Sequence, residues 1–83
     1  MITKEAILKS FKEKGDFLLI EDGEKKFLEA SIFRHPTNKE KIIALFEYSG
    51  NGVSVEDAEF FDSPEEAADW LYGKLKLHKG EKR

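Results

Sequence analysis

Ser63-Pro64-Glu65-Glu66 constrains this chain more tightly than any other segment, because it fixes where a helix must begin. A serine in the N-cap position accepts a hydrogen bond from the backbone N–H three residues on, and a glutamate there can reach back to the cap, closing a capping box. Pro64 falls on the first helical position, where a missing N–H costs nothing and a fixed φ helps. The spacing predicts a helix from Pro64 to about Leu77, with Ala67, Ala68, Leu71, Tyr72 and Leu75 on one side.

A second helix is predicted near the start. Thr3 is a good N-cap, Ile2 before it can staple onto Ile7, and Ile7, Leu8 and Phe11 share one side of Lys4–Lys14. Lys12 and Lys14 suit the last turn, and Gly15 supplies a left-handed stop.

Between the helices the period changes to two. Asp16–Asp22 and Lys25–Arg34 read as the arms of a hairpin turning at Gly23-Glu24, the Gly-X form of a type II′ turn. That register sets Asp22 against Lys25 and Leu19 against Leu28, and avoids a Glu21–Glu24 clash. It puts Phe17, Leu19, Leu28, Ala30 and Ile32 on a core face. Leu18, Ile20, Phe27 and Phe33 fall on the other, with Glu29 and Ser31. His35-Pro36-Thr37-Asn38 breaks the pattern. Ile42–Ser49 resumes it, Gly50-Asn51-Gly52 turns the chain, and Val53–Phe61 makes an acidic, irregular edge strand. The fold expected is α+β, ordered α-β-β-β-β-α, an antiparallel meander with both helices packed on one face. One domain spans residues 1–77, and residues 78–83 form a charged, frayed tail.

The 83 residues contain no cysteine, which removes disulfides and Cys-ligated metal from consideration. No run approaches the roughly 18 apolar residues of a membrane span, and no signal-peptide core precedes the first helix, so a cytoplasmic protein is expected. The net charge of −3 is unevenly spread. Residues 51–73 carry Glu56, Asp57, Glu59, Asp62, Glu65, Glu66 and Asp69 with no Lys or Arg, whereas Lys74, Lys76, Lys79, Lys82 and Arg83 crowd the end. Much of that polarity is what the dipole of the second helix favours.

Catalytic chemistry finds little footing. His35 and His78 are expected in solvent, neither beside a nucleophile motif. Asp57, Glu59 and Asp62 lack the glycine-bearing loop of a calcium site, so no metal or cofactor is expected. Ser49-Gly50-Asn51-Gly52 lies between two strands, where a phosphate loop would lead into a helix, and it lacks the phosphate-binding lysine. The helix–sheet–helix outline resembles the double-stranded RNA-binding domain, which has three strands where four are read here. The family's basic Lys-Lys-x-Ala-Lys start to its second helix is replaced by Pro64-Glu65-Glu66, which reverses the charge where that family contacts phosphate.

Trp70 and Leu77 lie outside the apolar arc of the second helix. Trp70 either caps the core margin or anchors a partner. Together with the additional apolar sheet face of Leu18, Ile20, Phe27 and Phe33, these residues point to a non-enzymatic module that binds a protein or pairs with itself. The alternative is a nucleic-acid accessory role for Lys74, Lys76, Lys79, Lys82 and Arg83. No small-molecule substrate is indicated.

Overall fold

The computed structural model describes residues 2–78. Helix α1 (Lys4–Lys14) is followed by strands β1 (Asp16–Asp22), β2 (Lys26–Arg34), β3 (Ile42–Gly50) and β4 (Val53–Phe61), then helix α2 (Pro64–His78). The four strands form one antiparallel meander in the order β1-β2-β3-β4, with β1 and β4 as edges. β4 is regular rather than broken, paired with β3 at every residue from Val53 to Phe61.

Local chemistry sets the boundaries. Thr3 Oγ1 accepts the Ala6 N–H at 3.1 Å, and Gly15, at φ 85°, donates its N–H to Phe11 O at 2.8 Å. Only glycine adopts that conformation freely, so α1 stops there and β1 starts at the next residue. Ser63 Oγ accepts the Glu66 N–H at 3.3 Å, the backbone half of the capping box. Asn51 and Gly52 hold φ of 54° and 76° between paired Gly50 and Val53, the two positive values of a type I′ turn.

The first hairpin departs from the expected register. Gly23 N–H donates to Lys26 O at 2.8 Å, so the reversal lies at Glu24-Lys25, neither of which has positive φ. Asp22 therefore opposes Phe27 and Leu19 opposes Ala30, two residues away from the Gly23-Glu24 alignment. A slip of two preserves every side chain's face, so the apolar pattern cannot distinguish the registers. The core and open faces are unchanged by it.

Both helices pack on one side of the sheet, α2 chiefly over β3 and α1 over β1, and they touch each other. Ile7, Phe11, Phe17, Leu28, Ile32, Ile42, Phe46, Leu71 and Leu75 fill the space between the layers. Ala30, Ala44, Ala67 and Ala68 are fully buried, and their small side chains let α2 approach the sheet closely. His78 is not the start of a solvated tail. It is the last residue of α2, half-buried, and its ring stacks on Phe46 and Tyr48 with centroids 5.4 and 5.2 Å away. The remainder of the expected tail, residues 79–83, lies outside the described residues. None of the described helices is long and apolar enough to cross a membrane.

Candidate functional site: the open sheet face

The face of the sheet turned away from the helices is covered by no described element, and the strand registers arrange it in lateral rows. Asp16, Phe33, Ile43 and Phe60 form one row, and Leu18, Ser31, Leu45 and Ala58 the next. Beyond these come Ile20, Glu29, Glu47 and Glu56, then Asp22, Phe27, Ser49 and Ser54. A further row closes the near end. His35 N–H donates to Lys41 O at 3.0 Å, continuing the β2–β3 register by one step, and Lys41 Nζ pairs with the Asp62 carboxylate on β4. His35, Lys41 and Asp62 thus stand side by side, and the His35 ring meets the Phe60 ring edge-on at 5.8 Å.

Two adjacent rows are therefore mostly apolar. Leu18, Ile20 and Phe60 remain 60%, 51% and 61% exposed, while Phe27, Phe33, Ile43 and Leu45 are half-buried by their neighbours. A large apolar side chain is worth about 1.5–3 kcal/mol when fully buried, so this face withholds a sizeable share of the available hydrophobic energy from the fold.

The glutamate row is equally out of keeping with folding alone. Glu29 lies directly opposite Glu47, and Glu47 directly opposite Glu56. Directly opposed residues have Cβ atoms about 4.5–5.5 Å apart, and like charges so placed destabilise a sheet. Together with Leu45 and Ala58 the three carboxylates line a groove of about 350 Å³.

The near-end row is mixed, with the Lys41 cation paired to Asp62 and the His35 imidazole beside them. His35 Nδ1 accepts the backbone N–H groups of Thr37 and Asn38, both at 3.1 Å. With Nδ1 acting as acceptor, the ring's proton sits on Nε2, a free donor. The Lys41 ammonium has a pKa raised above 10.5 by its hydrogen bond to Asp62 and by the attraction of that carboxylate, against a smaller opposing desolvation. It stays charged.

The residues expected from the sequence are not gathered in one place. Leu18, Ile20, Phe27 and Phe33 all lie on the open face. Trp70 does not: it packs at the margin of the helix-covered core, 6.0 Å from the Phe61 ring, with Lys74 Nζ 5.2 Å from its centroid. Leu77, 64% exposed, sits on α2 in the helical layer, away from the open face. Among the basic residues, Lys74 bonds Asp57 Oδ2 at 2.6 Å and Lys76 Nζ lies 5.8 Å from the Tyr72 ring, whereas Lys79, Lys82 and Arg83 lie outside the described residues. Ile43, Leu45, Phe60 and the glutamate row complete the surface. Continuing the period-two alternation through the Gly50-Asn51-Gly52 turn would have found the apolar members.

No group of three or more potential ligands among the described residues is placed to hold a metal ion. Comparison with protein-family models, curated proteins and solved structures finds no match to this chain.

Proposed function

We propose that the chain is a non-enzymatic protein-interaction module whose docking surface is the open sheet face. The observation that carries this reading is the apolar surface that runs from Leu18 and Ile20 on β1 to Phe60 on β4, each more than half exposed, across half-buried Phe33, Ile43 and Leu45 on β2 and β3. Contiguous apolar surface on a small domain is characteristic of an interface, whereas scattered apolar residues are ordinary. Trp70 takes a supporting part, fixing α2 against β4. A cytoplasmic setting belongs to the proposal, since a chain without cysteine loses nothing in a reducing compartment. The nucleic-acid alternative draws less support, because the Lys74 ammonium is committed to Asp57. A mobility shift on DNA or RNA at low salt would be needed to restore it.

The test is site-specific photo-crosslinking in cells that produce the protein. A photoreactive residue at position 18 or 60 is expected to yield adducts of higher mass, and the same residue at position 73, exposed on α2, is not. Adducts from position 73 alone, or from none of the three, would reject the reading.

A further inference from the structure

We infer that a second copy of this chain occupies the open face, stacked so that the two-fold axis lies in the interface, across the strands, between the Phe33–Ile43–Phe60 row and the Ser31–Leu45–Ala58 row. This rests on the open face being a docking surface and specifies what docks there.

The row order decides the arrangement. A two-fold axis in the interface can run along the strands or across them. Running along the strands, it would return each row onto itself and bring six carboxylates of the two glutamate rows together, with Glu29 meeting Glu47 of the other copy. Running across the strands between the two apolar rows, it exchanges those rows. Phe33 then faces Ser31, Ile43 faces Leu45 and Phe60 faces Ala58, which sets large side chains against small ones on β2 and β4. The same rotation carries the glutamate row onto the near-end row of the other copy. Glu47 meets Lys41, and Glu29 meets His35, whose Nε2–H is available to donate. Glu47, opposed by like charge on both sides in the isolated sheet, thus meets a cation in the pair, and Glu29 meets a hydrogen-bond donor.

Two edge contacts oppose this arrangement: on β4 Glu56 comes over Asp62, and on β1 Asp16 comes over Leu18. Stacked sheets cross at about 30°, so facing positions separate most at edge strands such as β1 and β4, and solvent screens both corners. The central strands β2 and β3 carry the favourable contacts. Strands spaced about 4.8 Å apart and rows about 6.7 Å apart give roughly 500 Å² of flat area per copy. The total of about 1,000 Å² is at the lower limit for a specific interface, so a weak dimer is expected, populated at high micromolar concentration.

Sedimentation equilibrium on the full chain tests the proposal. The wild type is expected to dimerise, and Glu47→Lys or Lys41→Glu to weaken association about tenfold or more, because each places like charges together. Mixing the two variants should restore dimers, since both cross-copy pairs are then Lys–Glu. Isotope-filtered NMR on mixed labelled and unlabelled wild type needs no variant to fold, and is expected to give Ile43–Leu45 contacts between copies. A wild type that stays monomeric at millimolar concentration overturns the second copy. If position 18 or 60 still crosslinks to a different protein, the docking reading survives that result. Dimers indifferent to Glu47→Lys, a mixture that stays monomeric, or intermolecular contacts along the β1 edge would each overturn the arrangement.

Discussion

The Lys74 ammonium lies 2.6 Å from Asp57 Oδ2, joining the middle of α2 to the middle of edge strand β4. The same nitrogen stands 5.2 Å from the centre of the Trp70 ring, so one cation serves a carboxylate and an aromatic face. Asp57 points toward the helices, directly opposite Phe46 across the ladder, and gives an otherwise acidic strand its polar attachment to α2.

Because the Asp57 side chain is 45% exposed, solvent screens the pair and its worth is modest. A double-mutant cycle with Asp57→Asn and Lys74→Met in urea is expected to give a coupling of about 0.5–1 kcal/mol, shrinking as salt is added. A coupling indistinguishable from zero at low salt would show that packing alone holds α2 to β4.

Alkaline pH probes the Lys41–Asp62 pair. The folded-state pKa of Lys41 is raised, first by its hydrogen bond to Asp62 and then by that residue's charge. Its contribution is therefore complete below the unfolded value of 10.5 and is lost as pH climbs through the higher folded value. Urea midpoints from pH 9 to 12 should fall more steeply for wild type than for Asp62→Asn. Parallel curves would refute the assignment, and tyrosine titration, common to both proteins, cancels in the comparison.

Glycine substitutions separate backbone strain from space. A Cβ at Gly52 or Gly73 would meet no atom within 4 Å, but Gly52 has φ +76° and Gly73 lies in ordinary helix. Gly52→Ala should cost about 1–2 kcal/mol. Gly73→Ala should stabilise by about 0.5–1 kcal/mol by removing unfolded-state freedom. Gly50→Ala differs again, since its Cβ would stand 3.0 Å from the Tyr48 hydroxyl and from Lys26 Cγ, and those side chains would have to give by a few tenths of an ångström.

The two sheet faces should answer truncation differently. Leu71 is fully buried, and Leu71→Ala is expected to cost about 2–5 kcal/mol, a large part of the roughly 4–12 kcal/mol available to a domain of this size. Leu18→Thr and Phe60→Thr, measured at low micromolar concentration, should stay within about 0.5 kcal/mol of wild type. Glu47→Gln should raise stability by a few tenths of a kcal/mol, because it relieves two like-charge oppositions. Circular dichroism melts in urea read all four.

Where a feature depends on a few adjacent residues, the chain announces it. Ser63-Pro64 starts α2, Gly15 ends α1, and Asn51-Gly52 turns β3 into β4, each through chemistry confined to one turn. The core and open faces were legible for the same reason, as alternation is a local property. The slip of the first hairpin was not, because Gly23-Glu24 and Glu24-Lys25 leave every side chain on the same face. The stacking of His78 on Phe46 and Tyr48 is a tertiary event with no local signature. The glutamate row was hidden most thoroughly: Glu29, Glu47 and Glu56 stand on three strands, and only the combined registers bring them into line. Trp70 was visible as an outlier on its helix, but its contact with Phe61 depends on where β4 ends.

The position of α2 after all four strands has a consequence for biosynthesis. Every strand pairs only with its neighbours in sequence, so a nascent chain can complete the sheet as soon as Phe61 has emerged. Until Ala67, Ala68, Leu71 and Leu75 follow, the surface over β3 has no lid, and the sheet is greasy on both sides at once. At about 5–20 residues per second the ribosome needs on the order of one to three seconds to add the 15 residues of α2. During that interval the growing polypeptide exposes apolar surface on both faces of the sheet, and the risk of aggregation falls when α2 closes over β3.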